Sequence, residues 1–291
     1  MMVSIVIPVA REGEALYDRI YALSSSLKAL STMYGFLYEI LLVSDIFHPP
    51  TVRAMMRLAK RGVAKCLFLS HRIGKGGSIK NAIPFAHGDY IVLLDADIPV
   101  SADTISRLVL LATKSRLDLL IANRIYRTHG LLRRVLSVAY NSLVNLFFRT
   151  GLKDHQAGFK ILSRRAADII LVGRTRTDGL AYDTEIIVWA KRHGMKYKAV
   201  NVVWREQRRD STIPPLRALL TMLADLIVLR LLTIGRKYLA LQKLTIGEII
   251  ELGNIHRVGQ EFMTVVRASG PKKYLFNILQ KLYIVVAFSR R

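Results

Sequence analysis

Short runs of apolar residues alternate with amphipathic segments from residue 3 to about residue 204. Apolar runs of this length, bounded by polar or turn-forming residues, are typical of strands buried on both faces of a sheet. They lie at residues 3–9, 38–44, 64–70, 90–94 and 118–123, with an alternating segment at 196–204. Between them, apolar residues recur at spacings of three and four, which predicts helices.

These helices are expected at residues 16–30, 50–61, 74–87, 101–115, 131–149 and 182–192, with another beginning at residue 164. Strands that alternate with helices in this way predict an α/β fold with a mostly parallel sheet flanked by helices. The second half of the chain is less regular than the first. The sequence therefore predicts one large α/β domain in the N-terminal two thirds of the chain.

Two adjacent prolines, Pro214 and Pro215, mark the best candidate for a domain boundary. We expect residues 1–212 to form the first domain and residues 213–291 to form a basic, amphipathic helical region. The segment 216–234 is apolar but interrupted by charged residues, so it is suited to lie along a membrane surface rather than to cross it. An ordinary helix packed on the domain is the alternative.

The chain carries 44 basic and 21 acidic residues, a formal net charge of +23. Such basicity attracts nucleic acid, an anionic membrane surface or phosphorylated substrates. The charge is spread along the chain and the aromatic residues fall in periodic runs, which disfavours the focused basic stripe of a nucleic-acid-binding protein. No run reaches the ~18 uncharged apolar residues of a membrane span. The single cysteine, Cys66, fits a reducing compartment, and the N-terminus lacks the features of a signal peptide.

Two carboxylates, Asp95 and Asp97, follow the apolar run at residues 90–94. Side chains alternate along an extended backbone, so both are expected to point the same way, at the sheet edge where α/β proteins bind ligands. Two like charges that face one way repel unless a cation or a hydrogen-bond network holds them, and a divalent metal is the obvious candidate. The alternative is that they cap the next helix or lie in water.

Several further motifs occur in a fixed order around this pair. The series comprises Ile5-Val6-Ile7-Pro8 with Glu12, Glu39–Asp45, Gly76 with Asn81-Ala82, Gly88-Asp89-Tyr90, Asp95-Ala96-Asp97, Arg124, Arg133-Arg134, Asp154 with Gly158-Phe159-Lys160, Glu185, and Trp204 with Arg208 and Ser211. Through residues 3–212 the chain resembles the inverting glycosyltransferases of family 2, which have the Rossmann-like GT-A fold. Within that family it resembles the dolichyl-phosphate mannose synthase-like branch.

This resemblance implies roles for individual residues. Asp95 and Asp97 match the metal-binding DxD motif, which holds Mg²⁺ or Mn²⁺ against the diphosphate of a nucleotide-sugar donor. Residues implied in substrate binding near the donor are Pro8, Glu12, Asp45 and Gly76. Residues implied near the lipid phosphate and the diphosphate are Arg124, Arg133, Ser137 and Arg208, and Ser211 is implied in substrate binding. Glu185 matches an acidic residue on the acceptor side, so the residues implied in catalysis are Asp97, Arg124, Glu185 and Arg208.

The chain departs from the branch pattern at three places. Ser44 precedes Asp45 where paired aspartates are usual, and Ala10-Arg11 replace Tyr-Asn before Glu12. Pro99 stands where a glutamine is frequent, so the metal loses one side-chain ligand that an extra water would replace. The glycine-rich segment at residues 74–77 lacks the spacing of a P-loop, and we interpret it as a helix start near the donor.

The chemistry of the residues leads to a similar function. A lipid phosphate is anionic at neutral pH and needs no strong general base, but it needs cations to approach a diphosphate, and arginine suits that task. A hydroxyl acceptor would instead require a base, for which Glu185 or Asp183 is the candidate.

The leading hypothesis is a peripheral enzyme at the cytoplasmic face of a membrane that transfers a hexose, with GDP-mannose favoured, to dolichyl or polyprenyl phosphate. The alternatives are a UDP-glucose-dependent enzyme acting on the same lipid, an inactive family member, and a basic nucleic-acid-binding protein without catalysis. The leading hypothesis requires a nucleotide-sugar, a polyprenyl phosphate and an anionic membrane surface as partners, without nucleic acid.

Overall fold

The computed structural model describes residues 1–124, 131–175, 181–204, 222–230 and 233, except for the side chains of residues 131–135. The chain divides into two compact units, Met1–Pro214 and Pro215–Arg291. In the second unit the described residues 222–230 are helical. Its predicted attachment to a membrane surface stays a prediction, because most of the segment lies outside the described residues.

The first unit is built on a seven-stranded sheet in the order β3-β2-β1-β4-β6-β5-β7. The strands are β1 Met2–Val9, β2 Leu37–Ser44, β3 Lys65–Phe68, β4 Tyr90–Leu93, β5 Leu119–Arg124, β6 Lys160–Ser163 and β7 Tyr197–Val202. All neighbouring pairs are parallel except those of β6, which runs antiparallel to both β4 and β5. The predicted α/β fold with a mostly parallel sheet is confirmed.

Helices flank this sheet at the predicted places. They are α1 Ala15–Tyr34, α2 Pro49–Lys60, α3 Gly74–Ala82 with a 3-10 turn at Ile83–Phe85, α4 Ala102–Lys114, α5 Leu131–Phe148, α6 Arg164–Ala166 continued by a π-helical segment at Ala167–Val172, and α7 Tyr182–Arg192. Helix α1 buries Leu16, Ile20 and Leu27 against the sheet, as their spacing predicts. Ser101 caps the start of helix α4, because its side chain accepts a hydrogen bond from the Thr104 amide.

Strand β6 was not predicted. It is four residues long and begins with Lys160, a charged residue that conceals the apolar pattern of a buried strand. The register pairs Leu93 of β4 with Lys160. The antiparallel insertion therefore places the start of β6 beside the end of β4, next to the carboxylate pair.

The backbone around Asp95 and Asp97 also differs from the prediction. Strand β4 ends at Leu93, and the amide of Ile98 donates to the carbonyl of Asp95 at 3.0 Å, which closes a turn. Ile98 has a φ of 48° in this turn. The expectation that both carboxylates lie on one extended strand is therefore wrong. The turn, and not strand alternation, brings them to the same cavity.

A polar cluster around the buried Glu39 joins the strands at the opposite edge of the sheet. Glu39 accepts hydrogen bonds from the Ser4 hydroxyl at 2.6 Å, the Lys65 ammonium at 2.7 Å and the His87 amide at 2.7 Å. Burial by itself raises the pKa of Glu39, but the hydrogen bonds from Lys65, Ser4 and the His87 amide together lower this pKa to about 2. The cluster stabilises the sheet far along the strands from the carboxylate pair.

Candidate active site

A cavity of about 340 Å³ lies where β1, β2 and β4 end, at the edge where parallel strands present their carboxyl ends. Five residues predicted to bind donor or metal line this cavity, namely Pro8, Glu12, Asp45, Asp95 and Asp97. Arg72 and Lys75 line it as well and were not predicted to bind a ligand. Because the carboxylates outnumber these cations, the cavity is suited to bind a positively charged ion.

Asp97 is the least satisfied carboxylate of the cavity. Its Oδ1 atom is buried and has no hydrogen-bond partner. Burial raises the pKa of Asp97 to about 6, and the negative charges of Asp95 and Glu12 contribute to the increase. An unpartnered buried carboxylate oxygen beside a second carboxylate is the environment that a divalent cation relieves.

The residues present therefore fit a divalent metal ion held by Asp95 and Asp97. Within the described residues, no group of three or more His, Cys, Asp or Glu side chains could hold a metal by itself. The remaining ligands would have to be diphosphate oxygens and water, the usual arrangement for Mg²⁺ at a phosphate-binding site.

Glu12 is positioned by Arg19 of α1. The guanidinium of Arg19 donates to the Glu12 carboxylate at 3.3 Å and to the Ala96 carbonyl at 3.1 Å. Arg19 thereby connects the loop after β1 to the turn that carries Asp95 and Asp97. This contact explains how two predicted donor-site segments come to face the same cavity.

Asp45 holds the beginning of α3 at the cavity. Its carboxylate accepts hydrogen bonds from the amides of Ile73 at 3.0 Å and Gly74 at 2.6 Å, which satisfies amides at the helix start. Gly76 is buried in α3 and is not among the residues that line the cavity. The interpretation of residues 74–77 as a helix start is confirmed. Its place near the donor, and substrate binding by Gly76, stay predictions.

A chain of charges leads away from Asp95. The ammonium of Lys75 lies 2.9 Å from Asp95 Oδ1 and 3.0 Å from Asp183 Oδ2, and Lys160 lies 2.6 Å from Asp183 Oδ1. Burial would raise the pKa of Asp183, but the charges of Lys160 and Lys75 lower it. Burial would lower the pKa of Lys75, but Asp183 and Asp95 raise it. Asp183 and Lys75 are therefore both ionised at neutral pH.

The segment that carries Asp154 and Gly158 packs directly against this site. A Cβ atom at Gly158 would lie 1.9 Å from Asp95 Oδ2, so only glycine leaves room for the carboxylate. Asp154 forms a buried ion pair with Arg124, whose Nε and Nη2 donate to its carboxylate at 2.7 Å and 2.9 Å. Arg124 also lies over the ring of Trp204, 5.5 Å from its centroid.

The remaining predicted residues lie outside the cavity lining or outside the described residues. Glu185 is fully buried in α7 and accepts a hydrogen bond from Trp189 Nε1 at 3.2 Å. Ser137 is half-buried in α5, where its carbonyl accepts from Asn141. The side chain of Arg133, together with Arg208 and Ser211, falls outside the described residues. Substrate contacts for Arg124 and for all five of these residues stay predictions.

Lys75, Lys160 and Asp183 were not assigned to the site from the sequence as one group. The usable signal for Lys75 in the sequence is its position beside glycines at a helix start, and the sequence identifies Asp183 only as a candidate base. Lys160 belongs to the motif Gly158-Phe159-Lys160, for which the resemblance implies no separate role. Their association depends on β6 and α7, whose placement local patterns do not specify.

The sequence of this chain is similar to that of a known protein family and of two characterised relatives. The family model "Glycosyl transferase family 2" matches residues 4–170. Glycosyltransferase AglD of Haloferax volcanii is 29% identical over 225 residues, which is 76% of this chain but only 35% of AglD. Dolichyl-phosphate beta-glucosyltransferase of Saccharomyces cerevisiae is 23% identical over 254 residues, covering 79% of this chain and 75% of the yeast protein.

Solved structures share the fold. Mannosyl-3-phosphoglycerate synthase from Rubrobacter xylanophilus has a TM-score of 0.63 at 20% identity, covering 84% of this chain and 77% of that one. Glucosyl-3-phosphoglycerate synthase from Mycobacterium tuberculosis, in complex with Mn²⁺, uridine diphosphate and glucosyl-3-phosphoglycerate, has a TM-score of 0.57 at 20% identity, covering 79% and 78%. Together with the family match over more than half of its length, these similarities establish that the chain belongs to glycosyl transferase family 2 and has the GT-A fold.

Proposed function

We propose that this enzyme transfers glucose from UDP-glucose to the phosphate of a dolichyl or other polyprenyl lipid, with inversion at the anomeric carbon. The observation that carries the proposal is the carboxylate pair Asp95 and Asp97, with its unpartnered buried oxygen, in a cavity at the carboxyl edge of the sheet. The yeast relative is named as a dolichyl-phosphate beta-glucosyltransferase. The preference for GDP-mannose is not supported by such relatives, and we replace it with the UDP-glucose alternative.

Asp95 and Asp97 would hold Mg²⁺ or Mn²⁺ at this cavity. When bound, the metal ion would act as a Lewis acid that neutralises the diphosphate leaving group. The structure of glucosyl-3-phosphoglycerate synthase with Mn²⁺ and uridine diphosphate supports this choice of ion and nucleotide. Pro8, Glu12 and Asp45 line the same cavity and would surround the nucleoside.

A phosphate acceptor agrees with the state of the nearby carboxylates. Asp183 has a lowered pKa because it contacts two lysines, so it is a poor proton acceptor at neutral pH. Glu185 is fully buried and engaged with Trp189. A hydroxyl nucleophile would need one of these groups as a base, whereas a phosphate oxygen is already anionic. We propose that Arg124, Arg133 and Arg208 attract the lipid phosphate.

A donor and acceptor screen tests this proposal. The purified full chain is incubated with Mn²⁺ or Mg²⁺, polyprenyl phosphate and radiolabelled UDP-glucose or GDP-mannose, and label in the lipid extract is counted. We expect label from UDP-glucose only, and none when the phosphate-free polyprenol or soluble 3-phosphoglycerate replaces the lipid phosphate. Transfer from GDP-mannose alone, or to 3-phosphoglycerate alone, would contradict the proposed donor or acceptor.

We further propose that the enzyme works at the cytoplasmic face of a membrane as a peripheral protein. Among the residues that the structure describes, no helix has both the length and the apolarity to cross a bilayer. The formal charge of +23 would attract an anionic leaflet. The full chain should co-sediment with vesicles containing phosphatidylserine at low salt and should be released as salt increases, because screening weakens the attraction. Equal binding to neutral phosphatidylcholine vesicles would contradict an electrostatic attachment.

A further inference from the structure

Lys75 makes the contact at Asp95 that a metal ion would need to make. Its ammonium lies 2.9 Å from Asp95 Oδ1, and it reaches this position from α3 while Asp183 of α7 holds it from the other side at 3.0 Å. A positive charge is therefore already present at one of the two carboxylates proposed to bind the metal. This inference rests on the proposed function, which assigns the metal to that pair.

The other oxygen of Asp95, Oδ2, faces Gly158, where a Cβ atom would lie only 1.9 Å away. Lys75 contacts Oδ1 on the side that lines the cavity. Because an ammonium and a divalent cation repel each other, a metal ion at Asp95 would compete with Lys75 for this carboxylate.

Lys75 has the freedom to move that its neighbour Lys160 lacks. The Lys75 side chain is 28% exposed and lines the cavity, whereas that of Lys160 is 0% exposed and has Asp183 and the Ala157 carbonyl as partners. Asp183 keeps the Lys160 contact whether or not Lys75 moves. A lysine on a flexible four-carbon stem can thus leave Asp95 without leaving Asp183 with an uncompensated charge.

We propose that Lys75 is an exchangeable internal cation. Before the metal binds, Lys75 neutralises Asp95 and reduces the repulsion between Asp95 and Asp97. With a metal ion at the pair, the Lys75 ammonium would leave Asp95 and would contact the diphosphate of the donor. Lys75 is then a substrate-positioning residue whose position depends on whether the metal ion is bound. Only after the exchange does the cavity present both the metal ion and the Lys75 ammonium to the diphosphate.

Direct Mn²⁺ binding tests the exchange without any sugar transfer. Free Mn²⁺ is followed by electron paramagnetic resonance during titration of the wild type, Lys75→Met and Arg72→Met, first with Mn²⁺ alone and then with uridine diphosphate present. Arg72 lines the same cavity, and no ion pair joins it to a carboxylate among the described contacts. It therefore controls for the general loss of one positive charge.

Without nucleotide, Lys75→Met should bind Mn²⁺ about three- to tenfold more tightly than the wild type, because a competitor worth roughly 1 kcal/mol is gone. Arg72→Met should change this affinity less than about twofold, since its effect is screened. With nucleotide, Lys75→Met should bind uridine diphosphate and Mn²⁺ more weakly than the wild type. This opposite pair of effects is not expected from a variant that is only misfolded, which would lose both.

Unchanged or weaker Mn²⁺ binding by Lys75→Met would overturn the exchange, as would equal tightening by Arg72→Met. Lys75→Gln, which keeps hydrogen-bonding capacity without the charge, should also tighten Mn²⁺ binding and covers the case in which the methionine variant does not fold. These titrations contain no sugar donor and no lipid. A negative result in these titrations would therefore refute the exchange without refuting sugar transfer, which the donor and acceptor screen tests separately. An absence of transfer in that screen would not change the Mn²⁺ affinities expected for the Lys75 variants.

Discussion

The backbone of Gly158 contacts the carboxylate of Asp95 so closely that a Cβ atom at this position would lie 1.9 Å from Oδ2. The segment between Asp154 and β6 thus forms one wall of the carboxylate pair. Glycine is required here by close approach rather than by backbone conformation, because its φ is not in the left-handed region.

Replacement of this glycine should remove the metal site. In Gly158→Ala the added methyl group displaces Asp95, so Mn²⁺ affinity and sugar transfer should each fall by more than about tenfold, with a stability loss of about 1–3 kcal/mol. Titration of Mn²⁺ and chemical unfolding measure these effects. The matched control is Gly194→Ala, where φ is +62° and open space surrounds the Cβ. It should lose about 1 kcal/mol and keep its transfer activity.

Asp97→Asn should stabilise the metal-free protein while it abolishes transfer. The folded pKa of Asp97 is about 6 and its ordinary value is 3.8, so the ionised side chain opposes folding as pH rises from about 4 to 6. Asparagine removes this penalty, which is about 1 kcal/mol above pH 6 once solvent screening is included. Urea unfolding at pH 7.5 without metal checks the direction of this stability change, and a less stable variant would refute the prediction.

In the wild type, Mn²⁺ affinity should fall as pH decreases through about 6, because protonation of Asp97 removes a ligand charge.

Glu39→Gln should weaken the fold without changing transfer per folded molecule. The folded pKa of Glu39 is about 2 and its ordinary value is 4.5, so its stabilisation is present above about pH 4.5 and is lost as pH falls toward 2. We expect a loss of about 2–3 kcal/mol at pH 7 that disappears near pH 2. The control is Asp103→Asn, which removes an exposed ion pair with Arg107 and weakens a long hydrogen bond from Tyr34, and it should cost far less stability than Glu39→Gln. An equal loss at pH 7 and pH 2 would contradict this assignment.

Arg124 and Asp154 should behave as an energetic unit. Arg124→Met and Asp154→Leu each leave one charge of a buried pair without its main partner, and each should cost about 3–5 kcal/mol. The double variant should be more stable than the sum of both losses by about 1–3 kcal/mol. Urea unfolding of the four proteins provides this double-mutant cycle. Additive losses would show that the contact carries no coupling energy.

Local sequence determined most elements of the first unit. Consecutive apolar residues in β1 and β2 are removed from water only when both faces of the strand are buried. The apolar residues of α1 are spaced so that they form one buried face of a helix. The same reasoning placed Asp95 and Asp97 at the end of a strand, where ligands bind in α/β folds. It failed for β6, because Lys160 looks like a surface residue until its partner is known.

The tertiary structure alone decided how the charges of the site combine. Lys75 and Asp183 are 108 residues apart in the chain, and they meet because α3 and α7 pack near the same sheet edge. The turn after β4 and the close approach of Gly158 then determine the surroundings of the Asp95 carboxylate. Periodicity and composition indicate which face of a helix or strand is buried, because this depends on the order of residues within the segment itself. Which charged side chains face each other depends on how distant elements pack together, and the sequence pattern within one element does not specify this packing.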